Sequence, residues 1–175
     1  MPRSLSRSNP FSRIVALCAI STVPVFSQPA RTPTELVQQV FTSLERRDER
    51  KLKTLAISKP DFKKFIWPSL RHTVVAKLGI NADTFYAMSV NESETGLGST
   101  LKEFGGRKCD VLQVGPITAE RHPIRRKRFS AYSGPAVTIR DANGNERTVH
   151  VVGGMVELGG VYKVSTYSLA PDQRQ

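Results

Sequence analysis

The stretch VTIRDANGNERTVHV, residues 137–151, places two runs of alternating apolar and polar residues around a turn, and its pairing decides the fold. A two-residue turn at Asn143-Gly144 would set Arg140 against Arg147 and Ile139 against Thr148. A three-residue loop, Ala142-Asn143-Gly144 with a left-handed glycine, instead sets Arg140 against Glu146, Thr138 against Thr148 and Val137 against Val149. Complementary cross-strand pairs contribute about 0.2–1 kcal/mol each, and three-residue loops of this kind are common in hairpins. The second register is therefore expected. Because side chains alternate across a strand, it sends Val137, Ile139, Val149 and Val151 to the core and Thr138, Thr148 and His150 to the other face.

Working outward, residues 109–114, 127–131 continuing through 136–140, 147–158 and 161–169 are rich in valine, isoleucine, threonine and tyrosine. His122-Pro123, Asn143-Gly144 and Gly159-Gly160 supply turns between them. Strands joined this closely must be antiparallel, so a meander of about four strands is expected.

The chain ahead of residue 107 reads as helical. Thr32-Pro33-Thr34-Glu35 is a capping box with proline at the first helical position, and Leu36, Val37, Val40, Phe41 and Leu44 follow at helical spacing. After a polar junction over 45–50, Leu52, Leu55 and Ala56 mark a second short helix. Ser58-Lys59-Pro60-Asp61 opens a third, carrying Phe62, Phe65 and Ile66, with Trp67 at its end and Pro68 as its stop. Further helices are expected over 71–78, 83–88 and 95–104, the last capped by Gly105-Gly106. The fold class is α+β, with N-terminal helices packed on a curved antiparallel sheet.

Residues 1–27 read as a secretory signal peptide. Arg3, Arg7 and Arg13 are their only charges, an apolar run spans 14–20, and Ser21, Thr22 and Pro24 interrupt it. The run falls short of the about 20 apolar residues a membrane-spanning helix needs; a buried N-terminal helix is the alternative. Cleavage is expected after Ser27, with a cut after Ala30 as the other choice. Residues 28–175 would then form one secreted or periplasmic domain, its net charge lowered from +11 to +8 by loss of the three arginines. Only Cys109 would remain, so packing and not a disulfide must hold the fold.

The segment RHPIRRKRFS, residues 121–130, concentrates Arg121, Arg125, Arg126, Lys127 and Arg128 without one acid. Alternation in a strand would split these charges between two faces, and a charged edge discourages strand-to-strand aggregation. An anionic envelope polymer or lipid is the partner such a segment suits. Nucleic acid is not expected, because stacking aromatics are not interleaved with the charges.

A helix running into SLERRDERKLKTL (43–55), followed by a sheet ending in GGVYKVSTYSL (159–169), resembles the nuclear transport factor 2-like superfamily, the cystatin-like α+β roll. The matching features are a polar, Asp-containing helix junction near Asp48 and the terminal Gly160, Tyr162, Lys163 and Val164. The resemblance extends to small exported bacterial proteins of that type and implies a cone-shaped roll. The fold hosts enzymes and non-enzymes alike, so it does not choose between them.

Enzymes of that superfamily, isomerases and dehydratases among them, direct acidic or histidine side chains into the cone. Asp110, His150 and Glu157 are the acid–base candidates here, joined by Tyr132, Tyr162 and Tyr167. No pair of them meets the test of a base and an oxyanion donor placed around one point. Isolated His72, His122 and His150 give no metal-ligand spacing, and no cofactor motif is present; GLGST at 96–100 lacks the lysine of a phosphate loop and reads as flexibility at a helix start. A non-enzymatic module that binds a small ligand or a protein partner is the expectation, with an isomerase- or hydrolase-like enzyme as the alternative. Trp67, Tyr86, Tyr132 and Tyr162 are the candidate ligand-binding aromatics, and the open sheet face is a candidate homodimer surface.

Overall fold

A computed structural model describes residues 28–70, 77–119 and 129–168. Its architecture is α+β, with the helices preceding the strands. Helix α1 (Pro33–Glu45) starts at its expected cap: Thr32 Oγ1 accepts the Glu35 N–H at 3.1 Å, and the Glu35 return bond reaches one residue past the cap, Oε2 accepting the Arg31 N–H at 2.7 Å. Its apolar stripe, Leu36, Val37, Val40, Phe41 and Leu44, is buried. Asp48 then caps α2 (Glu49–Leu55) by accepting the Lys51 N–H at 2.9 Å. The polar junction is therefore a helix-start device.

The third helical region departs from expectation. Ser58 caps a single turn, α3 (Lys59–Asp61), which passes into a π-helix at Phe62–Ile66 and then α4 (Trp67–Leu70). Pro68 sits inside α4 and does not stop the chain at Trp67. Just ahead of it, the Trp67 N–H bonds the Phe62 carbonyl five residues back. A wide turn relieves the clash a proline ring makes with the carbonyl four residues before it.

The two helices expected over 83–88 and 95–104 are one, α5 (Ala82–Phe104), capped at its start by Asn81, whose Oδ1 accepts the Thr84 N–H at 2.9 Å. Residues 89–94 are polar apart from Val90 but helix-compatible, so nothing interrupts it. Gly96 and Gly98 lie within this helix and not at a start. The Gly105 N–H bonds Leu101 O, and Gly106 takes positive φ at the helix end. Of the helix expected over 71–78, residues 71–76 lie outside the described residues, as do residues 1–27.

Six strands appear among the described residues: β1 (Cys109–Val114), β2 (Ser130–Ser133), β3 (Val137–Asp141), β4 (Glu146–Val149), β5 (Val152–Glu157) and β6 (Tyr162–Tyr167). They form two antiparallel three-stranded sheets, ordered β1-β3-β4 and β2-β5-β6. Two stretches expected as long strands thus break, at Gly134-Pro135 and at His150-Val151, and each gives one piece to each sheet. At the first break, a Cβ on Gly134 would collide with the Val152 carbonyl, 2.6 Å from its carbon. Only glycine lets the two backbones approach this closely there.

The deciding hairpin adopts the three-residue register: Val137 faces Val149, Thr138 faces Thr148, and Arg140 faces Glu146. Gly144 takes φ +85°, and the Asp141 carboxylate accepts the N–H groups of Asn143 and Asn145. Val137, Ile139 and Val151 are fully buried, Val149 partly so. Arg147, opposite Ile139, lays its guanidinium 5.0 Å from the centre of the Phe104 ring and pairs with Glu103 at 2.8 Å.

Two apolar clusters result. The larger joins α1, α2 and the end of α5 to both sheets through Leu36, Val40, Leu52, Phe104, Ile139, Met155 and Tyr167, among others. The smaller gathers Phe62, Ile66, Phe129, Ala131, Val156 and Leu158, with Trp67, Phe85 and Tyr86 packed against it.

Candidate ligand-binding cavity

A cavity of about 440 Å³ lies where these two clusters meet. Sites for small molecules run from about 300 to 1,000 Å³, so the space suffices for a compact ligand. The π-helix contributes Phe62 and Ile66, α5 contributes Phe85, Tyr86, Ser89, Val90, Ser93 and Leu97, and α2 contributes Lys53. From the second sheet come Ala131 and Tyr132 on β2, Met155 and Val156 on β5, and Ser165, Thr166 and Tyr167 on β6. π-turns inside helices frequently accompany functional sites.

The aromatic side is built as a stack. Phe62 lies 6.0 Å from Phe85 with nearly parallel rings, and 5.5 Å from Tyr86. On the opposite side, Tyr167 is almost fully buried, and burial alone pushes its pKa well above the ordinary value. Its hydroxyl donates to the Leu52 carbonyl at 2.7 Å, and its N–H donates to Ser93 Oγ at 3.2 Å. These bonds tie β6 to α2 and α5 across the cavity floor.

Polar atoms around the space are held in place. The Tyr86 hydroxyl donates to the Ile57 carbonyl at 3.2 Å, and the Ser89 hydroxyl to the Phe85 carbonyl at 3.1 Å. Burial raises the Tyr86 pKa, partly opposed by Lys59. At the rim, Lys53 pairs with Glu49 at 2.9 Å and Glu94 at 3.6 Å. The hydrogen bond to Glu49 leads the causes that raise its pKa. Glu92 and Glu94 are exposed rim residues.

Two of the four candidate aromatics, Tyr86 and Tyr132, line the cavity. Trp67 stands behind it, 6.3 Å from Phe62 and 6.5 Å from Phe85, and packs as core. Tyr162 stands behind Tyr132 at 5.8 Å; burial, then a hydrogen bond to Tyr132, push its pKa up to about 12.

The acid–base candidates are not brought together in this space. Asp110 is exposed on β1 opposite Arg140, and His150 sits half-buried between β4 and β5. Glu157 closes the turn after β5, where its Oε1 accepts the Gly160 N–H at 3.1 Å. None of the three lines the cavity. Arg121, Arg125, Arg126, Lys127 and Arg128 lie outside the described residues.

Of the lining residues, Phe62 and Ile66 read from the sequence only as apolar residues of the third helix, and Phe85 is not singled out there. One signal could have marked them: Ser89 and Ser93 interrupt the apolar stripe of α5 between Phe85 and Leu97. Small hydroxyl residues on an inward helix face leave space unfilled. Comparison of the chain with protein-family models, curated proteins and solved structures finds no match.

Proposed function

We propose that this chain is an exported, non-enzymatic module that holds a small, largely apolar ligand between α5, the π-helix and the second sheet. The cavity carries this reading: it is lined mainly by aromatic and aliphatic side chains, with a few fixed hydroxyls and a charged rim. That composition is characteristic of small-molecule sites. The position of Asp110, His150 and Glu157 away from the lining favours binding over catalysis. The nuclear transport factor 2-like cone remains the finer reading of the fold. Its support is the Asp48 helix junction and the two broken strand stretches, each of which contributes to both sheets.

A neutral solvatochromic dye such as Nile red tests the binding reading. Its fluorescence should rise in the presence of the parent protein and lose most of that rise in Ser89→Phe and Ala131→Leu, which fill the space from opposite walls. If either variant keeps the parent's melting temperature and binds the dye as well as the parent does, the cavity is not the site.

Export and association with an anionic envelope surface belong to the same proposal, supported by the pattern of residues 1–27 and by five positive charges within 121–128. Replacing Arg125, Arg126, Lys127 and Arg128 with glutamine should abolish binding to anionic vesicles at low salt. Solvated charges contribute little to folding, so a purely surface role for this run predicts an unchanged melting temperature. Equal binding by this variant and the parent would reduce the run to an edge guard.

A further inference from the structure

We infer that the cavity selects an amphipathic ligand whose polar end donates hydrogen bonds, an amine or an alcohol, and rejects the carboxylate of the same chain. The inference rests on the binding reading above and adds the chemistry of the head group.

Three observations lead to it. First, the protons of three lining hydroxyls are already committed to main-chain carbonyls: Tyr86 to Ile57, Tyr167 to Leu52 and Ser89 to Phe85. Any lone pair these oxygens present to the cavity can only accept. Second, the single lysine on the lining among the described residues, Lys53, is held between Glu49 and Glu94. A ligand carboxylate would have to displace a carboxylate to use it.

Third, among the described residues the rim at this end carries Glu92 and Glu94 on the lining and Glu49 behind Lys53, three acids against one base. The charges facing Tyr86 from the neighbouring helical turns are mutually engaged: Lys59 and Lys63 hold Asp83, and Lys163 holds Asp61. An ammonium placed at this rim meets Glu92 and shares Glu94 with Lys53. A carboxylate there meets two like charges, and the lining hydroxyls whose protons are not committed are Ser93, Ser165, Thr166 and Tyr132. Like charges brought this close disfavour one another even at an exposed rim, though solvent weakens the effect.

The molecule as a whole is strongly basic, at +11 for the full chain. Non-specific attraction would therefore favour an anion, so a preference for an amine must come from the local rim.

The test is competition for Nile red by decylamine, decanol and decanoate, each below its aggregation concentration, at near-neutral pH and moderate salt. Decylamine should displace the dye best, decanol next, and decanoate at least about tenfold more weakly than decylamine, a difference of about 1.4 kcal/mol. In Glu92→Gln/Glu94→Gln, decylamine should fall to within about threefold of decanol measured on the same variant. Both glutamates are exposed, so this variant should fold as the parent does. Decanoate binding as tightly as decylamine in the parent overturns the head-group inference and leaves the cavity reading standing. Failure of all three probes to displace the dye overturns the cavity reading and this inference with it.

Discussion

Replacing Gly96 with alanine tests whether α5 is seated on β6 by direct backbone contact. A Cβ at Gly96 would collide with the Tyr167 carbonyl oxygen, would lie 2.6 Å from its carbon and would lie 3.2 Å from the Ser168 nitrogen, where ordinary contact begins at 3.4 Å. These are main-chain atoms, so no side-chain rotation relieves the clash, and the helix must withdraw from the strand. A radial gap of about 0.5–1 Å already forfeits a quarter to a half of each dispersion contact. The withdrawal also stretches the bond from the Tyr167 N–H to Ser93 Oγ. Overpacking costs about 1–3 kcal/mol, and the upper end applies to an unyielding obstacle. Alanine recovers up to about 1 kcal/mol of helix propensity, leaving a net destabilisation of about 2 kcal/mol.

Gly98→Ala is the internal control, because nothing lies within 4 Å of a Cβ there. It should stabilise by up to about 1 kcal/mol. For a chain of this size, 1 kcal/mol moves Tm by about 2–4 °C. Gly96→Ala should therefore melt about 4–8 °C below the parent and Gly98→Ala about 2–4 °C above it, with urea titrations giving the same order. A Gly96→Ala protein as stable as the parent would refute the backbone contact.

Gly144→Val should cost about 1 kcal/mol or more in thermal denaturation, because Gly144 holds φ +85° and a β-branched residue resists that conformation. Asp61 has a lowered pKa: burial works to raise it, but hydrogen bonds from Ser58 and Lys163 outweigh burial. Its stabilisation is therefore present above the ordinary carboxylate pKa near 4 and is lost as pH falls through the lower folded-state value; stability measured against pH should flatten across that window in Asp61→Asn. A chain beginning at Arg31 should melt below one beginning at Gln28, by an amount equivalent to about 1 kcal/mol. It lacks buried Ala30, whose carbonyl accepts the Tyr162 N–H at 2.9 Å. Equal melting of the two chains would remove the structural reason to prefer cleavage after Ser27.

Local chemistry made the helix starts and the hairpin register legible. Thr32 and Ser58 each cap the helix that follows, whereas Asp48 read only as part of a polar junction; the Arg140–Glu146 pair fixes the loop length, closing at the bond Arg140 makes to Glu146. What stayed hidden depends on residues distant in sequence. The break at Gly134 is understood only once the Val152 carbonyl is beside it, and residues 149–151 carry no turn signal of their own. Pro68 read as a stop because the π-turn ahead of it leaves no trace in periodicity. The cavity was half legible: Tyr86 and Tyr132 were singled out, but Phe62 and Phe85 fit a filled core as well as a lined space. The three strand or turn acids and bases were identifiable as chemistry, yet their separation from the lining follows from sheet topology.

The cavity's existence has a cause in how α5 meets the sheet. Near Gly96 the helix rests on the β6 backbone, and Leu97, Thr100 and Phe104 continue that contact into the larger core. Toward its N-terminus the partner changes: Phe85 and Tyr86 pack on Phe62 of the π-helix. Aromatic rings therefore prop one end of α5 while glycine seats the other. Between the two supports stand Ser89 and Ser93, with Ser165 and Thr166 on β6. Leucine or valine at these positions would reach into the gap, and each fully buried aliphatic side chain contributes about 1.5–3 kcal/mol. Natural chains forgo stability of this kind mainly where function needs the space. Small residues between two rigid supports are thus the strongest reason to regard the space as a binding site and not as a packing fault.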